Sequence, residues 1–395
     1  MKKIASLGLC GALLPCIAAF AADENFDVYV LADVAYDDNV FRLADSAEAL
    51  AQTGSTTQDD IRTTYGVGGS ILIPVSRQEF SADAELRRTV FDRFSQLDNN
   101  NGQFNGQWNW TIASRANGVL GYDYDRSLTN FFELQDQLRD TVTNQAAYLN
   151  ANVPVHPRWT LVAGGESRDL SYSERDFLDH NQVALYGEAL FQTRGKTFVG
   201  LRLQENYVRF DASEDVATVG AVDNDFDETV TGGVVRWEAT GKSRFTGILG
   251  HTRRDADSPL SGDFSGTTGR AEYRRIISGK THIDFAAYRE TSVRAEVASL
   301  AVQRGLAVIP LWNISPKLSL RGHVAYEEVD FSGAGFTVNG AQRMDEVLTL
   351  RAGLDYRLNR ALTLQFGIGH QTRDSNQDNA EFDQNDVNAG LRFLL

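Results

Sequence analysis

Residues 35–43 read AYDDNVFRL, with two adjacent acids, an amide, and then an aromatic and a basic residue. Asp37, Asp38 and Asn39 bring oxygen acceptors together in a short span. That chemistry suits a divalent cation, a clamp on a polar ligand, or a turn whose side chains accept backbone N–H groups. Tyr36 precedes these residues, and Phe41 and Arg42 follow, so an Arg42 pair with Asp37 or Asp38 is within reach. The six histidines are the other candidates for chemistry. A histidine acts as general base only beside a nucleophile or an orienting carboxylate. His180 in FLDHN and His251 in GHTRRD each stand near an Asp, whereas His156, His282, His323 and His370 are scattered. A solvated surface histidine is the commoner use of such residues. No zinc spacing, Gly-rich phosphate loop or helix-borne motif occurs. The acidic run at Asp223, Asp225, Asp227 and Glu228 lacks calcium-loop spacing and reads as a solvated loop. We therefore expect no enzyme, no cofactor and no metal site.

The elements that must position these residues begin after a leader. Lys2 and Lys3 precede an apolar run from Ile4 to Ile17 and an Ala19-Phe20-Ala21 step, which is the layout of a secretory signal cleaved near Ala21. Cys10 and Cys16 both lie inside it, so residues 22–395 contain no cysteine and use neither disulfides nor a thiol nucleophile. The formal charge of −15 becomes −17 without the leader lysines. Such a balance excludes nucleic acid as a partner, because phosphate binding needs clustered Lys and Arg. No linker or shift in composition divides residues 22–395, which read as a single domain.

Beyond the leader no apolar run is long enough for a membrane helix. Instead, segments of about 10 to 14 residues alternate apolar and polar side chains. In GQFNGQWNWTI (102–112), Phe104, Trp108, Trp110 and Ile112 share one parity, and Asn105, Gln107, Asn109 and Thr111 share the other. TFVGLRLQENY (197–207), LSLRGHVAY (318–326) and LTLQFGIGH (362–370) behave alike. A period of two means strands with one apolar and one polar face. Short turns near 74–78, 113–117, 154–158, 193–196, 240–243, 278–281, 314–317 and 359–361 alternate with longer polar loops near 37–60, 92–101, 128–139, 171–180, 211–225, 255–263, 292–298, 331–342 and 374–381. The repeating unit is a hairpin, and the census gives about 18 strands, with 16 as the alternative.

Other features sort with this division. Every short turn carries Lys or Arg, and acids crowd the long loops. Pro74, Pro154, Pro157, Pro310 and Pro316 are read as lying at or beside short turns, where a missing N–H does no harm to a ladder. The five tryptophans, Trp108, Trp110, Trp159, Trp237 and Trp312, cluster near the turn ends, as in an interfacial girdle. The pattern predicts an all-β, up-and-down antiparallel transmembrane barrel, with short periplasmic turns and long extracellular loops, in the outer membrane of a Gram-negative cell. A soluble solenoid or propeller has repeats of similar length, but with recurring Gly or aromatic signatures that this chain lacks. The last strand, DVNAGLRFLL, puts Val387, Ala389, Leu391, Phe393 and Leu395 on one face and suits recognition by the barrel-assembly machinery.

A barrel this wide leaves an aqueous lumen. Its polar parity carries Arg87, Arg202, Arg236, Arg270, Arg274, Arg321 and Arg351, with Glu85, Glu166, Glu188, Glu238, Glu272 and Glu327 among them. Arginine, carboxylate and amide groups offer directional bonds to sugar hydroxyls and uronates. A mixed-charge lining of any wet lumen accounts for the same list.

In this setting Tyr36-Asp37-Asp38-Asn39 with Phe41-Arg42, closing a first strand after a leader, resembles the EpsL-type barrels of exopolysaccharide operons, within a wider group of β-barrel porins. The resemblance implies an outer-membrane component of exopolysaccharide export, with the polymer and other exporter parts as partners beside lipid and lipopolysaccharide. A general small-solute porin and a non-conducting structural part of the apparatus are the alternatives. It brings no catalytic residues.

Overall fold

The computed structural model describes residues 25–395 except 114, 133–137, 194, 217–219, 223, 259–261, 295–298, 333–336, 339–340 and 378–379. The expected leader, residues 1–21, lies outside the described residues.

Alternating sequence becomes strands: β1 (Phe26–Asp37), β2 (Asp60–Val75), β3 (Gln78–Phe91), β4 (Asn99–Ile112), β5 (Ala116–Leu128), β6 (Thr141–His156), β7 (Trp159–Tyr172), β8 (His180–Gln192) and β9 (Thr197–Phe210). A small loop hairpin follows, β10 (Glu214–Val216) with β11 (Gly220–Val222). Then come β12 (Phe226–Thr240), β13 (Ser243–Ala256), β14 (Phe264–Ser278), β15 (Thr281–Arg294), β16 (Ser299–Ser315) and β17 (Leu318–Ser332). A second loop hairpin, β18 (Thr337–Val338) with β19 (Ala341–Gln342), precedes β20 (Met344–Arg357), β21 (Leu362–Ser375) and β22 (Phe382–Leu394).

Leaving out the two loop hairpins, the strands form one 18-stranded antiparallel sheet. It closes on itself where β1 pairs with β22, from Tyr29 opposite Leu394 to Asp37 opposite Asp386. Closure leaves no edge strand, so the ladders need no water to satisfy a free edge, as a sheet in hydrocarbon requires. The barrel strands run from 12 residues in β1 to 17 in β16, longer than the roughly 10 needed to cross a bilayer. No described helix is long and apolar enough to cross a membrane.

The two faces separate by parity. Leu86, Leu201, Leu249, Leu306 and Ile368 face outward and are exposed, while Glu85, Arg202 and Glu188 face inward. At the short-turn end, Trp108 stacks on Phe80 at 5.7 Å between ring centroids and Trp159 packs on Phe191 at 5.1 Å, forming part of an outward aromatic belt. Most of the expected prolines do lie by short turns, but Pro310 sits inside β16. The ladder to β17 passes from the Val308–Val324 pair to Leu311–Arg321, skipping Pro310. Gly322 makes this possible, since a Cβ there would lie 2.9 Å from the proline ring.

Two long loops share one design. In residues 91–99 and again in 172–180 the chain makes a single 3₁₀ turn, Ser95–Leu97 and Asp176–Leu178, with Leu97 and Leu178 buried. An aspartate then closes the loop: Asp98 accepts from the Phe91 N–H at 2.9 Å and Asp179 from the Tyr172 N–H at 2.6 Å. Burial raises the pKa of Asp179 despite that backbone bond.

Candidate functional site

The site is the lumen together with its mouth at the long-loop end. AYDDNVFRL lies at the seam, where β1 gives way to the first long loop. Asp37 is buried and receives Arg42 through two bonds, at 3.1 and 3.0 Å, along with the Asn39 N–H at 3.0 Å. Arg42 adopts φ +60, which lets its N–H reach the Asn39 carbonyl at 3.2 Å. The Asn39 side chain donates to the carbonyls of Leu43 and Asp383 and accepts from the Leu43 N–H. Asp38 spans the closure: its carboxylate accepts the Asn385 N–H at 2.7 Å and the Asn385 amide at 2.8 Å, while its own N–H donates to the Asn385 carbonyl. Tyr36 points to the outer face. The side-chain oxygens of Asp37, Asp38 and Asn39 thus all have protein donors, which is the arrangement of a turn and a seam latch.

Phe41 is fully buried and meets Phe94 and Phe131 edge-on, with ring centroids 4.7 and 5.1 Å apart. Around it Val40, Leu43, Ala49, Phe91 and Leu97 form a small apolar core, with Leu128 packed against it. Ala49 comes from α1 (Ser46–Thr53), whose N-cap Asp45 accepts from Ala47 and Glu48 and whose end is set by Gly54 at φ +71. Next to this core Phe132, from the loop after β5, reaches the inward face of β21 and β22. Its carbonyl accepts from Arg373 at 2.6 Å and its ring meets Phe382 edge-on at 5.7 Å. One side of the mouth, above the seam and β2 to β5, is therefore closed by a dry cap.

Below it the lumen wall is polar. Glu188 on β8 is fully buried and holds two of the expected arginines, Arg202 on β9 at 2.8 Å and Arg236 on β12 at 2.5 Å. Arg202 also donates to Gln204 and lies 4.1 Å above the Tyr186 ring. Arg87 pairs with Glu85, and Arg270 with Glu272 at 2.7 Å and Glu290 at 3.3 Å. Arg274 pairs with Asp284 and Arg321 with Asp355. Arg351 makes no ion pair among the described residues and stands opposite His323 in the register of β17. The seven arginines do not converge. They lie spread over β3 to β20, and all but Arg351 are paired with carboxylates on the wall beside them.

Four inward tyrosines stand directly opposite glycines: Tyr29 opposite Gly68, Tyr148 opposite Gly121, Tyr186 opposite Gly164 and Tyr288 opposite Gly305. At Gly68 and Gly164 a Cβ would come within 2.4 and 2.5 Å of the ring, so only glycine lets the tyrosine lie across the neighbouring strand. The hydroxyl then reaches the second strand over: Tyr29 donates to Glu85 at 2.6 Å, Tyr288 to Glu327 at 2.6 Å, and Tyr186 accepts from Asn150 at 2.5 Å. These staples were not singled out in the sequence, because the Tyr–Gly opposition exists only once the register is known.

The histidines do not assemble a reactive group. His180 is buried, bonded to the Leu178 carbonyl and Gln182, and His251 faces outward beside Ser265. His370 meets Asn385 at the seam.

A family model described as "Putative beta-barrel porin 2" matches residues 174–394, from the loop after β7 to the last strand. The chain belongs to that family. It is thus an outer-membrane β-barrel of porin type. No curated protein matches it. Among solved structures this porin-family barrel is similar to OpdK of Pseudomonas aeruginosa with vanillate, at 12% identity and TM-score 0.48 over 94% of this chain and 99% of that one. It is also similar to a BenF-like porin from Pseudomonas fluorescens Pf-5, at 10% identity and TM-score 0.46 over 94% and 99%, and to OccAB3 of Acinetobacter baumannii, at 7% and 0.47 over the same shares. Likeness of this degree carries no inference about cargo.

Proposed function

We propose that this barrel is a passive, water-filled channel for small hydrophilic solutes. The observation that carries the reading is the inward parity: its charged groups pair along the wall instead of meeting across the lumen, and several pairs stay partly open to solvent, as in Arg274–Asp284 at 40% and 27% exposure and Arg321–Asp355 at 23% and 24%. The family match supports small-solute permeation ahead of polymer export, the narrower use attached to the EpsL-type resemblance. Lipopolysaccharide, the barrel-assembly machinery and export with cleavage near Ala21 belong to the same proposal. Purified protein in planar bilayers is expected to give stable ionic conductance. A folded, heat-modifiable barrel with no conductance overturns the channel reading and leaves a structural role.

A further inference from the structure

The inward faces of β4, β5 and β6 differ from the rest of the lumen. From Asn99 to Asn109 every inward side chain of β4 is an amide: Asn99, Asn101, Gln103, Asn105, Gln107 and Asn109. The facing parity of β5 adds Asp123 and Asp125, and that of β6 adds Asn144, Asn150 and Asn152. None of the three strands turns an Arg or Lys inward, whereas β7, β9, β12, β14, β17 and β20 all do. The register stacks these groups in rows. Glu85, Gln103, Asp125 and Asn144 are successive cross-strand partners, and two residues nearer the short turns so are Asp83, Asn105 and Asp123. Directly opposed side chains stand about 5 Å apart at Cβ, so each row is a continuous strip of donors and acceptors.

Part of this strip has no internal partner. Asp83 and Gln103 make no side-chain hydrogen bond among the described residues, and the Asn144 and Asn101 carbonyl oxygens are buried without a donor. At the β3 end of the strip Glu85 pairs with Arg87 and Asn105 donates to Asp123, and elsewhere in the lumen carboxylates are likewise taken up by arginines, as at Glu188 and Asp284. An amide offers both a donor and an acceptor, as a hydroxyl does, so an amide wall matches a molecule that is hydroxyl on every side. A carboxylate adds two acceptors for vicinal hydroxyls and repels anions.

We propose that the β4–β6 wall is a contact track for neutral polyhydroxylated solutes, of the chemical class of sugars and short oligosaccharides. The proposal rests on the channel reading above and names its solute class. Gln103, Asn105 and Asp83 are the central contacts, and the ion-paired wall from β8 to β20 is the inert side.

The test is current block of the full-length barrel in planar bilayers, with maltohexaose as the neutral probe and hexagalacturonate as an anionic one of equal length. The neutral probe is expected to block at lower concentration. Gln103→Leu and Asn105→Leu should each raise its half-blocking concentration about tenfold while ionic conductance holds. Arg321→Gln, on the opposite wall, should leave the block unchanged. If Asn105→Leu does not reach the heat-modifiable folded form, Gln103→Ala carries the test, since Gln103 has no bonded partner to lose. Conductance with no maltohexaose block, tighter block by the uronate, or unchanged block in the variants each overturns the track. Loss of conductance in the unaltered barrel overturns the channel itself, a separate failure.

Discussion

The capped side of the mouth and the charged wall below it are built from opposite materials. At the cap, Phe41, Leu43, Leu97 and their neighbours exclude water, and the polar atoms of Asp37, Asp38 and Asn39 are taken up by backbone groups and by the Arg42 and Asn385 side chains. On the wall, Arg274, Arg321 and Arg87 keep their charges partly wet and pair sideways. The cap resembles a small soluble core, sensitive to volume. The wall tolerates loss of exposed pairs but not of the few groups sealed behind others. The contrast teaches that within one lumen the same residue type, an Asp or an Arg, is structural where it is dry and a lining where it is wet.

The sharpest break of that contrast is Glu188, the wall residue that is as buried as the cap. Glu188→Ala leaves Arg202 and Arg236 without their shared carboxylate, and we expect a loss of about 4 kcal/mol in urea unfolding. A change below about 1 kcal/mol would place Glu188 with the wet pairs. Phe41→Ala removes the centre of the cap and should cost about 3 kcal/mol, read as faster proteolysis in the loops containing residues 40–54 and 92–98 while the barrel stays heat-modifiable. At the seam, Asp38→Ala and Asn385→Ala should each destabilise by about 1 kcal/mol, and the double variant by less than their sum, because they remove the same bonds. Strict additivity would deny the latch. Arg274→Gln is expected to shift stability by less than about 1 kcal/mol, since its pair is solvent-screened, while changing single-channel ion selectivity.

Much of this was legible in the chain. The strand count, the alternation of short turns with long loops and the outward belt follow from period-two patterning, because each strand's two faces meet different solvents. The Arg42 contact with Asp37 was within reach of local reasoning, as the two are only five residues apart. Other features were hidden by distance in sequence. Asp38 meets Asn385 at a separation of 347 residues, and Arg373 meets Phe132 at 241. Pro310 was read as lying at or beside a short turn because sequence alone cannot show that Gly322 stands across from it. The shared design of the loops at residues 91–99 and 172–180 was visible only as a faint repeat, a leucine before an aspartate after an aromatic residue.

The sequence by itself determined an antiparallel barrel of about 18 strands, with 16 as the alternative, and which parity of its clearest strands faces water, since alternation and turn chemistry are local properties. Only the tertiary structure decided which inward groups are neighbours. Register across the closed sheet sets whether an arginine finds a carboxylate, a tyrosine finds a glycine, or a row of amides stands unbroken. In AYDDNVFRL, a stretch whose types would suit a cation, the fold supplied backbone and side-chain donors for the side-chain oxygens of Asp37, Asp38 and Asn39. A closed barrel brings its first and last strands together, and that meeting is what gives Asp38 its partner.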